Sequence, residues 1–252
     1  MTRGSLSVAV FGSDGRMGSE TVRAIESADD IDLVARVSVP EERHLAADNG
    51  AQVMVDFTIP SETKANVLWA IEHGIHAVVG TTGWTEDDLA DVHEALEKRP
   101  GVGVLIAPNF ALGAVLAMRF SEIAAKYYES AEVIELHHPQ KVDAPSGTAR
   151  HTAQGIAQAR RNAGLDPVPD ATASGLDGAR GAMVDGIHVH AVRLRGLVAH
   201  QEVLFGAPGE QLTIRHDSFD RVSFMPGVLL AVREVGSRPG LTVGLDQYMD
   251  LG

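Results

Sequence analysis

The chain has 252 residues, 44% of them hydrophobic, and this length can bury one large core or two modest ones. A formal charge of −13, with no basic cluster larger than the pair Arg160-Arg161, argues against nucleic-acid binding. The absence of cysteine excludes disulfides, thiolate metal sites and a cysteine nucleophile, and no apolar run approaches the roughly 20 residues of a membrane span. We therefore expect a cytoplasmic protein that binds neither nucleic acid nor membrane.

The N-terminal part of the chain alternates between strand and helix patterns. Short β-branched runs predict strands at residues 7–11, 31–37, 52–57, 76–79 and 102–106. The segments between them predict helices at residues 19–27, 61–73 and 85–98. Ser61 is the expected N-cap of the second helix, and Thr85 with Asp88 forms an expected capping box for the third. This alternation favours a mostly parallel sheet with helices on both faces.

Beyond residue 110 the pattern changes. Helices are predicted at residues 113–127, 148–163 and 223–235, and strands at residues 131–136, 187–195, 198–206, 211–217 and 241–245. Residues 164–186 show no periodicity, and a segment of that length indicates either a function or subunit contacts. Consecutive strands predict a second domain, with the last strand closing back on the first one. The predicted class is α/β, a Rossmann-like doubly wound parallel sheet plus an α+β domain with a mixed open sheet.

A glycine motif, VAVFGSDGRMG, follows the first strand at residues 8–18. Gly12, Gly15 and Gly18 have the spacing G-x-x-G-x-x-G, which lets the backbone turn tightly and approach a pyrophosphate at a helix N-terminus. Such a turn also occurs without any ligand, but its place after the first strand favours dinucleotide binding. Arg16 lies inside the turn, where a cation can reach an adenosine 2′-phosphate.

The end of the second predicted strand bears on the choice of cofactor. An acidic residue about 20 positions after the glycines binds the ribose 2′-hydroxyl in NAD-dependent Rossmann folds. This position is near Ser38, and the sequence has no acid until Glu41. Ser38 is either a simple surface serine or a sign that a 2′-phosphate is not repelled, which leaves NADPH acceptable.

Small polar residues follow the fourth predicted strand as Gly80-Thr81-Thr82-Gly83. Ligands of open α/β sheets bind at the carboxyl ends of strands, and small residues let a flat ring approach the backbone. Phe57-Thr58 ends the neighbouring strand. Each of these two segments is also compatible with an ordinary turn, but their position on neighbouring strand ends favours a binding site.

The segment ELHHPQKVDAPSGT, residues 135–148, is the strongest functional motif. His137 and Lys141 combine a group that titrates near neutral pH with a fixed positive charge. His138 is adjacent to His137, so the two side chains point to opposite sides of an extended segment. Free amides and hydroxyls where Ser146 opens the next helix can bind a carboxylate. The alternative is a solvated loop with Ser146 as N-cap.

The 11 histidines do not form a recognisable metal motif. His188 and His190 share a strand face, but no His-Glu-x-x-His helix and no third ligand at a known spacing accompany them. His200 and His216 are interpreted as ordinary sheet residues. We predict no metal site.

Together the motifs resemble the dihydrodipicolinate reductase family. The resemblance runs in order over nearly the whole chain through GxxGRMG, VDFT, GTTG, APNF, ELHHPQKVDAPSGT and AVR…GLVAHQEVLFG. It implies a dinucleotide-binding domain from residues 1–108 and 219–252, a substrate-binding and oligomerisation domain from residues 109–218, and a homotetramer. It also implies that NADH or NADPH reduces a cyclic dicarboxylate, with loss of water, to tetrahydrodipicolinate in lysine and diaminopimelate biosynthesis.

The resemblance also implies roles for individual residues. His137 would be the acid/base residue and Lys141 the proton donor. The residues implied to bind the substrate carboxylates are His138, Gly147 and Thr148. The residues implied to line the cofactor, together with Ser38, are Gly12, Ser13, Asp14, Gly15, Arg16, Met17, Gly80, Thr81, Thr82, Ala107, Pro108, Asn109 and Phe110.

The sequence departs from the family pattern in two places. Many members carry basic residues or histidine where this chain has Pro139 and Gln140, so a less cationic site is expected. Many also have an acid at the position of Ser38. Two alternative interpretations are another two-domain dehydrogenase, acting on an amino acid or an aldehyde, and a nucleotide-sensing module without catalysis.

Overall fold

The computed structural model describes residues 5–251, which form two compact units. The first contains residues 5–112 and 221–251, and the second contains residues 113–220. The divisions therefore fall at 112/113 and 220/221, close to the boundaries 108/109 and 218/219 expected from the sequence. The functions expected of the two domains remain predictions at this point.

Eleven strands are found between residues 5 and 251. In chain order they are β1 (Leu6–Phe11), β2 (Ile31–Val37), β3 (Val53–Asp56), β4 (His76–Val79), β5 (Gly103–Ile106), β6 (Ser130–His137), β7 (Ala182–Val184), β8 (Ile187–Arg193), β9 (Ala199–Ala207), β10 (Glu210–Ser218) and β11 (Gly240–Val243).

The same residues contain seven α-helices. They are α1 (Arg16–Glu26), α2 (His44–Asp48), α3 (Pro60–Glu72), α4 (Glu86–Glu97), α5 (Leu112–Ala124), α6 (Gly147–Asn162) and α7 (Met225–Glu234). The short α2 was not predicted, because five residues of mixed polarity carry no clear helical period.

The first unit is built on a six-stranded parallel sheet in the order β11-β5-β4-β3-β1-β2. Every residue of β3 and β5 is buried, as expected for parallel strands covered on both faces. The chain leaves β1 toward β2 on one side and returns to β3 on the other. This reversal of strand order creates a crevice at the carboxyl ends of β1 and β3, the usual ligand position in such sheets. The predicted Rossmann-like fold is confirmed.

The predicted N-terminal cap was correct for α4 and wrong for α3. The capping box of α4 is present, because Asp88 N donates to Thr85 Oγ1 at 3.2 Å and Thr85 N donates to Asp88 Oδ2 at 3.0 Å. Ser61 is not the N-cap of α3. That position belongs to Ile59, whose extended backbone leads into Pro60 at the first helical position. Proline is suited to that position because its fixed φ is already helical and its missing amide would have no helical partner.

The second unit contains a five-stranded mixed sheet in the order β10-β9-β6-β8-β7. Only the pair β6 and β8 is parallel among its neighbouring strands. Helix α6 packs on β6 and β8 over an apolar core that includes Val133, Ile156, Val189 and Phe205. Strand β7 lies within the segment expected to be irregular, since three residues are too few to show a period of two.

None of the helices described combines the length and the hydrophobicity that a bilayer crossing requires.

Arg160 ties α6 to the loops at its C-terminal end. This buried guanidinium donates to the carbonyl oxygens of Tyr128 at 2.6 Å, Glu129 at 2.9 Å and Asp166 at 2.9 Å. Arg161 is exposed, and its guanidinium donates to the side chain of Gln158. The two adjacent arginines therefore have different structural roles.

We expect Arg160→Ala to lower the free energy of unfolding by about 2 to 4 kcal/mol, because three carbonyl oxygens lose their donor. Arg161→Ala is the matched control and should change it by less than about 0.5 kcal/mol. Urea unfolding followed by circular dichroism measures both. Equal midpoints for the two variants would show that Arg160 has no special part in the fold.

Candidate active site

Glu135 is the centre of a charged network in the second unit. The alternation of β6 places its side chain on the core face, where it is fully buried. Arg193, at the end of the neighbouring strand β8, binds it with two nitrogens, each 2.7 Å from a different carboxylate oxygen. His137 Nδ1 lies 2.5 Å from Glu135 Oε2, and Ser146 N donates to Oε1 at 3.0 Å. One carboxylate thus fixes a strand end, a neighbouring strand and the start of α6.

The network determines the charge state of Glu135. Burial raises the pKa of this carboxyl, but the hydrogen bonds from His137, Arg193 and the Ser146 amide outweigh it and lower the pKa to about 2. The same contact with Glu135 raises the pKa of Arg193. A buried ion pair with satisfied hydrogen bonds is stable as a unit, whereas removing one partner leaves a buried charge.

The ionised Glu135 fixes the tautomer of His137. A carboxylate can only accept hydrogen bonds, so Nδ1 of His137 carries the proton that lies toward Glu135. Nε2 is then the ring atom that can accept or donate a proton. His138 is half-buried, and its Nδ1 is a buried nitrogen without a hydrogen-bond partner among residues 5–251. An unsatisfied buried nitrogen beside His137 is suited to a polar ligand.

The side chain of Asp143 is bound close to the start of α6. Ser146 caps α6 by accepting a hydrogen bond from Ala149 N at 3.2 Å. Asp143 lies between the start of this helix and Lys141, whose Nζ is 2.6 Å from Asp143 Oδ1. The hydrogen bond from Lys141 lowers the pKa of Asp143, and the amide of Gly147 also contributes. An ammonium therefore binds a carboxylate close to the start of α6.

The residues predicted from the motif lie at the end of β6, in the loop that follows it and at the start of α6. His137 ends β6, His138 and Lys141 follow it, and Gly147 and Thr148 open α6. Arg193 was not predicted as a site residue, although AVR was among the motifs that carried the resemblance. Its pairing with Glu135 spans 58 positions, and only the register of β6 with β8 brings His137 opposite Arg193.

The glycine turn of the first unit lies between β1 and α1. Gly12 has a φ of +74°, which side chains disfavour, and a Cβ at Gly18 would lie 2.0 Å from the carbonyl oxygen of Gly12. Arg16 and Met17 form the first positions of α1, and its N-cap, Gly15, makes no side-chain capping bond. The amides of the first turn consequently lack a side-chain acceptor, which suits a pyrophosphate.

A second buried carboxylate, Asp56, organises the strand ends of the first unit. Its oxygens accept hydrogen bonds from Thr58 Oγ1 at 2.7 Å, Asn66 Nδ2 at 2.7 Å and Thr81 Oγ1 at 3.0 Å. The predicted site residue Thr81 is thus held by a residue that was not predicted. Asp56 belongs to the VDFT motif, which carried the resemblance without an assigned role.

A cavity of about 540 Å³ opens at the carboxyl ends of β1, β2 and β3. Four predicted residues, Gly12, Asp14, Gly15 and Ser38, line it. The lining residues that were not predicted for the cofactor are Phe11, Val37, Val39, Pro40, Phe57, Thr58, Ile59, Glu62 and Asn66. Its apolar walls, exposed hydroxyl groups and adjacent glycine turn fit the adenosine end of a dinucleotide.

The other residues predicted for the cofactor lie outside this cavity. Ser13 is buried behind it and bonds Ser38 through the two hydroxyls at 3.0 Å. The backbone of Gly80 packs against the ring of Phe57, whose other neighbour is Phe110, with the two ring centroids 5.8 Å apart. Thr82 follows β4 in the loop to α4. Ala107, Pro108 and Asn109 lie in the loop between β5 and α5.

His188 and His190, the two histidines considered as metal ligands, each lie close to a carboxylate. His188 Nε2 lies 3.2 Å from Asp170 Oδ2, and His190 Nε2 lies 2.7 Å from Glu132 Oε2. Within residues 5–251, no group of three or more His, Asp or Glu side chains is placed to hold a metal ion.

The charge of Glu135 makes a pH-dependent contribution to stability. Its pKa of about 2 lies below the ordinary value of 4.5, so the stabilisation is complete above pH 4.5 and is lost as the pH falls toward 2. We expect Glu135→Gln to lower the free energy of unfolding by about 3 kcal/mol at neutral pH, because Arg193 loses its buried counter-charge. The deficit should shrink below pH 4.5.

Urea unfolding at several pH values measures this deficit. Glu129→Gln, which alters an exposed acid just before β6, is the matched control and should have no such effect. A deficit that stays constant down to pH 3 would contradict an ionised Glu135.

Comparison with known proteins identifies the family of the chain. The family description "Dihydrodipicolinate reductase, N-terminus" matches residues 6–110, and "Dihydrodipicolinate reductase, C-terminus" matches residues 113–249. The 4-hydroxy-tetrahydrodipicolinate reductase of Streptomyces coelicolor is 61% identical over 246 residues, 98% of each chain. The enzyme of the same name from Beutenbergia cavernae is 60% identical over 247 residues, covering 98% of this chain and 100% of that one.

A solved structure agrees with these relatives. The dipicolinate-bound dihydrodipicolinate reductase from Paenisporosarcina sp. TG-14 matches with a TM-score of 0.87 and 36% identity, covering 97% of this chain and 100% of that one. Both units and the motifs of both candidate sites fall within the matched ranges, and the chain belongs to the dihydrodipicolinate reductase family.

Proposed function

We propose that this protein is a 4-hydroxy-tetrahydrodipicolinate reductase, which uses NADH or NADPH to reduce a cyclic dicarboxylate to tetrahydrodipicolinate with loss of water. Relatives about 60% identical over almost the whole chain carry this name. The activity belongs to lysine and diaminopimelate biosynthesis. A dehydrogenase of amino acids or aldehydes and a nucleotide-sensing module, the alternatives left by the motifs, account less well for an anion site beside an oriented histidine.

The binding of Asp143 is the observation that best supports a dicarboxylate substrate. Lys141 holds this carboxylate close to the start of α6 in a chain with a net charge of −13. A substrate carboxylate can use Lys141 and the first amides of α6 by displacing Asp143. The solved relative from Paenisporosarcina contains dipicolinate, a planar ring with two carboxylates, which has the chemistry that this arrangement recognises.

In this proposal, His138, Gly147 and Thr148 hold the substrate carboxylates. The unpaired Nδ1 of His138 and the amides at the start of α6 supply donors. The macrodipole of α6, a helix of 16 residues, favours negative charge at this end. Fixed donors orient the substrate ring and lower the entropy cost of reaching the reactive geometry.

His137 and Lys141 carry out the proton chemistry. The nicotinamide, when bound, supplies the hydride. Because Glu135 holds the Nδ1 proton, His137 exchanges protons through Nε2. Lys141 Nζ carries a positive charge that offsets negative charge developing on the substrate, and it is the second proton donor. Arg193 positions Glu135 and thereby acts through His137.

Residues of the first unit are proposed to hold the cofactor. The amides of Arg16 and Met17 meet its pyrophosphate, and the cavity beside Ser38 holds its adenosine end. The remaining predicted residues, proposed to lie along its nicotinamide end, are Gly80, Thr81, Thr82, Ala107, Pro108, Asn109 and Phe110.

A homotetramer in the cytoplasm is also proposed. Large apolar side chains of the second unit are exposed in the single chain, among them Leu176, Met183 and Leu194. Such side chains are typical of surfaces covered by other subunits. Sedimentation equilibrium should give about four times the chain mass of 26.7 kDa, and a monomer would contradict this assembly. Cell fractionation tests the location, and a membrane or secreted fraction would contradict it.

A coupled assay tests the activity and the roles together. Dihydrodipicolinate synthase generates the substrate in place, and nicotinamide absorbance reports its reduction. We expect turnover with the wild type, and a decrease in kcat of about a hundredfold or more for His137→Ala and Lys141→Ala, since each removes a proton-transfer group. Cofactor affinity should stay near the wild-type value, because both residues belong to the second unit. Gln140→Ala, at the exposed neighbour of Lys141, is the matched control.

The outcomes separate the activity from the residue roles. If neither NADH nor NADPH is oxidised by the wild type, the proposed function is wrong. If His137→Ala or Lys141→Ala retains the wild-type kcat, the function stands and that residue loses its assigned role.

A further inference from the structure

We infer that Asp14 and Glu42 make the adenosine pocket selective for NADH over NADPH. This inference rests on the proposed function, since it takes the cavity beside Ser38 as the cofactor site. The sequence places no acid at the end of β2, which left the choice of cofactor open. The folded chain brings two acids to that position from other segments.

Ser38 is the point at which the two carboxylates converge. Its hydroxyl donates to Asp14 Oδ2 at 2.7 Å, and its backbone amide donates to Glu42 Oε2 at 3.0 Å. Since the Ser38 proton lies toward Asp14, the Ser13 hydroxyl, 3.0 Å away, donates to Ser38 Oγ. Asp14 comes from the glycine turn, and Glu42 comes from the short 3-10 turn that follows β2.

The cations near the pocket do not offset these acids. Arg43 Nε donates to Asn66 Oδ1 at 2.6 Å, and the same guanidinium pairs with Glu62 at 3.3 Å. Within residues 5–251, the cavity is lined by the acids Asp14 and Glu62 and by no lysine or arginine. The sequence suggested that Arg16 could reach an adenosine 2′-phosphate. Arg16 is exposed on the first turn of α1 and does not line the cavity.

This arrangement distinguishes the two cofactors by charge. The ribose 2′-hydroxyl of NADH can donate a hydrogen bond to a carboxylate such as that of Asp14, as it does to the acid at the end of β2 in other Rossmann folds. The 2′-phosphate of NADPH has no such proton to spare and carries a charge of about −1.5 to −2 near pH 7. It would meet the Asp14 carboxylate in the cavity lining and the negative charge that Glu42 brings to the Ser38 amide, and repulsion of the wrong ligand is an effective source of specificity.

Binding of adenosine fragments tests the inference without catalysis. Isothermal titration calorimetry compares ADP with adenosine 2′,5′-bisphosphate, and NADH with NADPH, on the full-length wild type, Asp14→Asn, Glu42→Gln and the double variant. Asn at position 14 keeps an acceptor oxygen for the Ser38 hydroxyl, and Gln at position 42 keeps one for the Ser38 amide. Both substitutions therefore remove a negative charge with little change in the shape of the side chain. Asp32→Asn, an exposed acid near the start of β2, is the matched control.

We expect the wild type to bind NADH about tenfold more tightly than NADPH, the scale of a like-charge contact at a partly exposed site. The double variant should bring the two affinities close together, mainly through tighter binding of the 2′-phosphorylated ligands, whereas Asp32→Asn should leave the ratio unchanged. Preference of the wild type for NADPH, or an unchanged ratio in the double variant, would overturn the inference alone. Failure of the wild type to bind either cofactor would overturn both the proposed cofactor site and the inference.

Discussion

The buried carboxylate of Glu135 is the constraint on which the candidate catalytic centre depends. An ionised group without access to water is stable only if its hydrogen-bond capacity is filled, and Arg193, His137 and the Ser146 amide fill it. Meeting this requirement fixes the end of β6, the end of β8 and the start of α6 relative to one another. The orientation of His137 is therefore a consequence of the stability of this network.

The first unit uses a similar device for a different purpose. Asp56 is buried at the end of β3 and holds Thr58, Asn66 and Thr81, which lie on three segments around the strand ends. Thr58 and Thr81 lie in loops and Asn66 belongs to α3, so the buried carboxylate fixes two loops to a helix at the strand ends. Gly12 then allows the chain to turn at the same edge of the sheet.

The acidity of the chain explains how its few cations are used. A protein with a net charge of −13 repels a dicarboxylate at long range, so donors have to be concentrated where the substrate binds. Lys141, paired with Asp143 close to the start of α6, is the candidate for such a donor. In the cavity at the carboxyl ends of β1, β2 and β3, by contrast, the charged lining residues are the acids Asp14 and Glu62.

The sequence alone determined the alternation of strands and helices, the glycine turn and the segment that carries His137 and Lys141. These features depend on local hydrophobic periodicity and on residues that are close along the chain, so they can be predicted without knowledge of the tertiary structure. Most strand bounds were predicted to within two residues, whereas the cap of α3 was misassigned because Pro60 begins the helix before Ser61.

Only the tertiary structure decided which distant residues complete the sites. Arg193 meets Glu135 across 58 positions, and Asp14 meets Ser38 across 24. Neither pair leaves a periodic signal, because strand order and register set their distances, and these depend on the packing of the whole sheet. The sequence therefore determined which chemical groups the protein has, and the fold decided which of them act together.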